Sequence, residues 1–475
     1  MKVLDYLEVA KQKSLWKKLR TESVVSVVNE EKYNGMAQTL AELQKCIKMS
    51  DYHPRQLLGH LGVCKQDGAT RFLPIMSIED FAVYYACVSS LQEDLCFNIT
   101  GVYGAWRMRS SGSTKPDVEM FGDYAFDGSM SRGEWFKNWQ KYSDLLEDEC
   151  QQADEATFFH VTDIANFYDS IDLFKLENML KKAIPQWDGT VDVLIHFLKY
   201  WNRTVRGYDP ASKGLPQEIV GDASRILANF YLKDLDKKFQ ADCEANGLKY
   251  LRWADDITFI GKDKPQLEKM VYEYSVQLHK IGLNLNAHKT KCFSKKEIAD
   301  YNCLDIIRTF KSKDFSQMNT GIEWFRTRIK NVGREKCRAD RVTRHLLSLL
   351  TNVPNKRQDP AFYAEWTAWP ERKEHQVWLR GFVLADGFDA LKRFDAKQFI
   401  KFIKLYEDRN SGLKEITNII CAKPYTSPKA ELLYSFRKQR RDEGMENSYL
   451  TLDECKTKIL DSARKSDIIS KYCTD

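Results

Sequence analysis

Residues 249–261 read Lys249-Tyr250-Leu251-Arg252-Trp253-Ala254-Asp255-Asp256-Ile257-Thr258-Phe259-Ile260-Gly261. Aromatic, β-branched and aliphatic residues flank Ala254-Asp255-Asp256 on both sides. The pattern predicts two short strands, 249–253 and 257–261, joined as a hairpin with two carboxylates at its tip. Upstream, 157–162 (Thr157-Phe158-Phe159-His160-Val161-Thr162) is a short apolar, aromatic and β-branched run that predicts a buried strand, and Asp163 follows it directly. Residues 173–183 have helical character. From Ile219, apolar residues at Val220, Ala223, Leu227 and Phe230 fall at helical spacing. After the hairpin, Leu267, Met270, Tyr274, Leu278 and Ile281 form a helical stripe that Gly282 closes. Residues 283–285 and 291–293 then read as strand.

Strand, helices, hairpin, helix, strand is the plan of a split βαβ, or ferredoxin-like, unit. In such a sheet the end of the first strand and the tip of the central hairpin lie side by side. Asp163, Asp255 and Asp256 would converge there. Three carboxylates that close repel one another unless a cation sits among them. Oxygen-only donors with open positions suit Mg²⁺, which keeps waters and takes substrate phosphates. Two such ions can clamp the attacking and leaving oxygens of a phosphoryl transfer. An Asp-Asp pair is also common in turns for conformational reasons alone, so the pair by itself decides little.

The rest of the chain bounds the answer. It has 475 residues, 43% hydrophobic and 29% charged, a globular composition long enough for two or three domains. The net charge is +6, but residues 311–475 carry 33 Lys and Arg against 23 Asp and Glu. A basic C-terminal third fits a polyanionic partner such as nucleic acid, and equally a solvated helical surface. None of the 12 cysteines stands in a C-x-x-C pair, so a structural zinc site lacks its usual spacing. Scattered cysteines, several in apolar company, suit reduced thiols in a cytosolic protein. The first 20 residues read as an amphipathic helix and not a signal peptide, and no apolar window is long enough to span a membrane.

Five segments in order resemble the reverse transcriptase family. Tyr250-Leu251-Arg252-Trp253-Ala254-Asp255-Asp256 is similar to its catalytic hairpin, with Trp253 where a Tyr is usual. Asp163-Ile164-Ala165-Asn166-Phe167-Tyr168-Asp169-Ser170-Ile171 resembles the first catalytic segment. Gly214-Leu215-Pro216-Gln217, followed by Ala223-Ser224-Arg225-Ile226-Leu227-Ala228, resembles the segment beneath nucleotide and template, with Glu218 where many relatives have Gly. Gly282-Leu283-Asn284-Leu285-Asn286 with Lys289-Thr290 resembles the segment after the hairpin. Lys65, Arg71-Phe72-Leu73-Pro74-Ile75 and Tyr103-Gly104-Ala105-Trp106-Arg107 resemble the fingers.

The resemblance implies an α+β right-hand polymerase. It would have N-terminal helices and fingers over 1–155, a ferredoxin-like catalytic palm over 156–310, and a mainly α-helical thumb and C-terminal region over 311–475. It implies that Asp163 and Asp255 bridge two Mg²⁺ ions, with Asp256 in support and the Ile164 carbonyl as a further ligand. Tyr168 would be the steric gate that excludes a 2′-hydroxyl. Lys65 and Arg71 would hold the triphosphate, Gln217 would touch nucleotide or template, and Lys289 would be an acid for the leaving pyrophosphate. Arg437, Lys438, Arg440 and Arg441, the densest basic cluster, would grip nucleic acid.

Among subfamilies, the chain lacks the Cys pairs of an intron-type endonuclease, the Val-Thr-Gly of a retron-type thumb and the acidic cluster of an RNase H domain. Tyr168 and Ala254 also set it apart from RNA-dependent RNA polymerases. The 223–228 string and the acidic, aromatic insertion before Asp163 resemble bacterial defence-associated and abortive-infection enzymes. The expected activity is therefore RNA-directed DNA synthesis from dNTPs in cytoplasmic anti-phage defence. A dedicated noncoding RNA would serve as template or scaffold, DNA would be the product, and some such enzymes oligomerise. Template-independent or protein-primed synthesis at the same site is the first alternative. A catalytically silent RNA-binding scaffold is the second, and the intact aspartates argue against it.

Overall fold

A computed structural model describes residues 3–4, 7, 36–57, 59–64, 70–104, 134–184, 188–202, 209–217, 223–312, 314–332, 337–338, 342 and 357–368. Lys65, Glu218 and the basic cluster 437–441 lie outside the described residues, as does the side chain of Arg71. The chain divides into two compact units, residues 1–61 with 73–295, and residues 62–72 with 296–475.

The chain enters the described region through helix α1 (Met36–Lys48) and a paired two-stranded sheet, β1 (Gly59–Cys64) and β2 (Thr70–Ile75). Helix α2 (Ile78–Leu95) starts at Ser77, whose hydroxyl accepts the Asp80 amide. Every residue from Phe81 to Val88 is buried. A helix apolar on all sides belongs in an interior, and α2 packs against two later helices, α6 (Thr190–Tyr200) and α7 (Ala223–Tyr231).

Next in chain order come β3 (Val102–Tyr103), α3 (Glu134–Gln152), β4 (Phe158–Asp163), the short α4 (Phe167–Ser170) and α5 (Leu173–Ala183). After α6 and α7 follow α8 (Lys233–Ala245), β5 (Lys249–Trp253), β6 (Asp256–Gly261), α9 (Lys264–Lys280) and β7 (Lys291–Ser294). The sheet order is β3-β5-β6-β4-β7, with β3 parallel to β5 and every other pair antiparallel. Removing β3 leaves β5-β6-β4-β7, the strand order and directions of the split βαβ plan. The hairpin and both flanking strands therefore stand where the hydrophobic pattern puts them. Helix α9 ends as expected: Gly282 is left-handed (φ +80°), its amide donates to His279, and the Leu283 amide donates to Leu278.

One expectation fails. Residues 283–285 do not form a strand; only Leu285 makes a single bridge, to Ile164. Left-handed Asn166 (φ +46°) turns the chain away just past β4. The backbone of 284–286 bonds that departing corner instead, Asn284 accepting from Ala165 and Asn286 donating to the Asp163 carbonyl.

Sheet alternation sorts the side chains. Tyr250, Arg252, Ile257 and Phe259 lie on the face covered by α8 and α9, where Phe239, Phe259 and Tyr274 pack edge to face. Asp163, Trp253 and Asp256 share the other face. The C-terminal part of the second unit begins within α10 (Lys295–Asn302) and contains α11 (Leu304–Lys311), α12 (Phe315–Val332) and α13 (Pro360–Ala368). There a Cβ on Gly321 would fall 1.8 Å from the Thr309 hydroxyl, so α11 and α12 meet only because the residue is glycine. Arg328 forks onto both Asp305 oxygens at 2.8 and 2.7 Å. Among the described residues, no helix is long and apolar enough to cross a membrane.

Candidate active site

Asp163 ends β4 and is the Cα partner of Asp256, the first residue of β6. Directly opposed residues of an antiparallel pair project to the same face, so these two carboxylates are neighbours. Asp255 occupies the two-residue turn between β5 and β6, and its carbonyl accepts the Ile164 amide at 3.1 Å. All three aspartates and Ile164 thus sit at one end of the sheet. The register partner of Asp163 is Asp256, whereas Asp255 is tied to the β4 end through its backbone.

The turn is tightly held. Ala254 is left-handed (φ +53°), a conformation that costs a non-glycine residue roughly 1–2 kcal/mol. Three bonds hold it there. The Ala254 amide donates to the Tyr103 carbonyl at 3.2 Å, the Arg252 Nη1 donates to the Ala254 carbonyl at 2.7 Å, and Asp255 receives Ile164 as above. Gly104 is seated directly against the turn. Its φ is +99°, and a Cβ there would lie 2.3 Å from the Ala254 nitrogen. The segment 103–104, expected from the resemblance in the fingers, thus supplies the edge strand that supports the hairpin tip.

Lys289 joins the carboxylates. Its ammonium donates to Asp163 Oδ2, reached from a 3-10 turn, Ala287–Lys289, that follows the bridge at Leu285. Burial pulls the Lys289 pKa down, but the hydrogen bond and charge of Asp163, then the charges of Asp256 and Asp255, outweigh it and raise it. Lys289 is therefore the cation that the aspartate cluster requires in this structure. The other oxygen, Asp163 Oδ1, is buried with no hydrogen-bond partner. Leaving such an atom unpaired is costly. A buried, unsatisfied carboxylate oxygen beside two further carboxylates fits a hard divalent ion that prefers oxygen. The convergence is incomplete: among the described residues, no three His, Cys, Asp or Glu side chains are grouped closely enough to hold a metal.

The Tyr168 segment and the Gly214–Gln217 loop are zipped together. The amides of Gly214 and Leu215 donate to Ile171 and Tyr168 at 2.9 Å, and Gln217 Nε2 donates to both Asp169 oxygens at 3.2 Å. Tyr168 is half-buried against the core and packs on Phe167. Ser224 fixes the far end of the loop by donating to the Pro216 carbonyl at 2.6 Å while sharing a hydrogen bond with Tyr84 on α2. Trp253 tilts against Tyr142 of α3 with ring centroids 5.6 Å apart, which docks the insertion helix onto the hairpin.

Sequence reasoning passed over one cluster. Arg252 and Asp236 are both fully buried and joined as a fork, with Asn229 Oδ1 accepting from Nη2 at 2.8 Å and the Tyr250 hydroxyl donating to Asp236 Oδ1 at 2.8 Å. Burial first, then the Asp236 charge, pushes the Tyr250 hydroxyl far above its ordinary pKa, so it stays protonated as a donor. The available signal was Arg252 alternating with Tyr250 on the covered strand face, opposite Asp236 within the buried 235, 236, 239, 243 stripe of α8.

Residues 107–313 match the family described as reverse transcriptase (RNA-dependent DNA polymerase). The Retron Ec83 reverse transcriptase of Escherichia coli is 27% identical over 108 residues, a stretch that spans 22% of this chain and 32% of that relative. It is of the retron type that the missing Val-Thr-Gly argued against. Among solved structures, telomerase from Candida tropicalis in complex with the TWJ fragment of telomeric RNA covers 90% of this chain and 71% of its own at 11% identity, with a TM-score of 0.37. Telomerase from Candida albicans with the same kind of fragment covers 88% and 71% at 11% identity, with a TM-score of 0.32. At those TM-scores the likeness carries no weight for the fold. The stretch that matches the reverse transcriptase family, 107–313, is a little under half of the chain and contains Asp163, Tyr168, Gln217, Asp255, Asp256 and Lys289.

Proposed function

We propose that the chain is an RNA-directed DNA polymerase of bacterial anti-phage defence. It would extend a primer with dNTPs on an associated noncoding RNA that serves as template or scaffold. The observation that carries the reading is the pairing of Asp163 with the Asp255–Asp256 turn, together with the buried, unsatisfied Asp163 Oδ1. In this reading the five-stranded sheet with its helices is the palm, 1–155 includes the fingers, and 311–475 is the thumb with an appended helical region.

Asp163, Asp255, Asp256 and the Ile164 carbonyl would hold two Mg²⁺ ions, which when bound activate the primer hydroxyl and neutralise the leaving pyrophosphate. Lys289, an ammonium at neutral pH that already reaches Asp163 Oδ2, would stand where the leaving pyrophosphate can take its proton. Tyr168, held by the Leu215 bond and the Phe167 ring, would close the space a 2′-hydroxyl needs. The Asp169 carboxylate only accepts hydrogen bonds. It therefore orients Gln217 with its NH₂ inward and leaves the amide oxygen to meet the nucleotide. Lys65 and Arg71 are proposed for the triphosphate, and Arg437, Lys438, Arg440 and Arg441 for nucleic acid. The 223–228 string and the α3 insertion support the defence setting by their likeness to defence-associated enzymes.

The test is dNTP incorporation with Mg²⁺ on a primed RNA template. Asp255→Asn should remove about 100- to 1000-fold of the rate, the scale on which removal of one transition-state electrostatic interaction acts, while near-ultraviolet circular dichroism is unchanged. Incorporation at the wild-type rate would refute the assignment.

A further inference from the structure

The Arg252–Asp236 pair is more elaborate than stability asks for. Buried ion pairs are often no more stabilising than apolar residues of the same volume. Here the guanidinium is oriented by two helices: Asp236 on α8 takes Nε and Nη2, and Asn229 on α7 takes Nη2 as well. With the plane thus set, Nη1 reaches the Ala254 carbonyl. The turn's polar groups are consequently each referenced to a different element. β3 holds the Ala254 amide, Arg252 holds the Ala254 carbonyl, and the end of β4 holds the Asp255 carbonyl.

We propose that Arg252, clamped by Asp236 and Asn229, is a positioning residue that sets the Ala254–Asp255 turn so that Asp255 and Asp256 meet Asp163 in the geometry a divalent ion needs. The inference rests on the polymerase reading above. Arg252 touches neither nucleotide nor carboxylate of the site; it acts through one peptide group. Lysine cannot replace it, because a point charge on a flexible stem cannot serve two acceptors on one side and a carbonyl on the other in a fixed plane.

The experiment compares R252K with the wild-type chain. Mn²⁺ binding is read by electron paramagnetic resonance without nucleotide, and kcat and KM for dNTP are measured separately. R252K should bind Mn²⁺ about 10-fold more weakly and lose about 10- to 100-fold in kcat, the range seen when a supporting group behind metal ligands is removed. KM for dNTP should stay within about 3-fold, because the groups that meet the nucleotide are untouched. Y274F removes a hydroxyl from the same buried network but no bond to the turn. It should keep wild-type Mn²⁺ affinity and kcat. If a folded R252K keeps both values, or if Y274F loses as much as R252K, the inference is overturned and the network is structural support only. Should R252K fail to fold, N229A takes its place: it removes one acceptor and leaves no charge unpaired, and Mn²⁺ binding about 3-fold weaker is expected, below that range because Asp236 still orients the guanidinium. Wild-type affinity in N229A would then overturn the inference. A wild-type chain that neither binds Mn²⁺ nor incorporates dNTPs overturns the polymerase reading, and this inference with it.

Discussion

Gly104→Ala tests whether the Ala254–Asp255 turn depends on its seat against β3. A Cβ at residue 104 would stand 2.3 Å from the Ala254 nitrogen, 2.9 Å from its Cα and 3.1 Å from its Cβ. Ordinary van der Waals separation needs about 3.4 Å or more, so the turn or β3 must give by about 1 Å. Neither neighbour is a flexible side chain. Both are backbone, and the Ala254 amide already donates to Tyr103 next door. The backbone term, for alanine at φ +99°, is roughly 1–2 kcal/mol. Overpacking adds roughly 1–3 kcal/mol. The sum, about 2–5 kcal/mol, is a large fraction of a domain's stability. Movement of about 1 Å at a reacting group costs on the order of 100-fold in rate. Gly247→Ala is the control. Its φ is +67° and nothing lies within 4 Å of the added carbon. It should cost only the backbone term, about 1–2 kcal/mol, and leave the turn alone. The assay is dNTP incorporation beside thermal unfolding. G104A should lower both the midpoint and kcat, whereas G247A should lower the midpoint alone. A folded G104A with wild-type kcat would show that the turn does not need its present position, and the geometric account of the site would fall with it.

Tyr168→Ala should raise ribonucleotide use relative to deoxynucleotide use by at least ~10-fold, and unchanged sugar selectivity would remove the gate assignment. Charge reversal at Arg437, Lys438, Arg440 and Arg441 should weaken RNA affinity and lower the slope of log affinity against log salt by about 0.7–0.9 for each phosphate that the protein no longer neutralises. An unchanged slope returns that cluster to a solvated surface. Burial lowers the His160 pKa, with Lys264 adding to the effect and Glu268 opposing it. The unfolded chain thus binds a proton more readily than the folded one, and stability present above about pH 6.5 is lost as pH falls below it. Burial lowers the His196 pKa in the same direction. Melting between pH 7 and 5.5 should therefore show a falling midpoint, and His160→Leu should flatten that slope; a slope unchanged in the variant refutes the role given to His160.

Local pattern carries most of the five-stranded sheet because β4, β5, β6 and β7 announce themselves within four to six residues, and α9 within its stripe and its terminal glycine, whereas the two residues of β3 carry no such signal. The same pattern misleads at 283–285. An apolar, alternating triplet looks the same whether its backbone joins a strand or, as here, its Asn284 carbonyl accepts from the corner that Asn166 makes 118 residues earlier. The site divides on the same line. The carboxylates were legible because a motif places them at strand ends. What holds them was not: Arg252 needs Asp236 on another element, Gly104 needs Ala254, and Ser224 needs Tyr84, at separations of 16, 150 and 140 residues. Periodicity reports which face a residue occupies and is silent on what it meets there. An arginine on a covered strand face nonetheless points to an acid opposite, since a guanidinium cannot shed its charge and leaving it buried and unpaired is costly. Read that way, Arg252 alone obliges a carboxylate on α8 or α9, and within the buried stripe of α8 the acid present is Asp236.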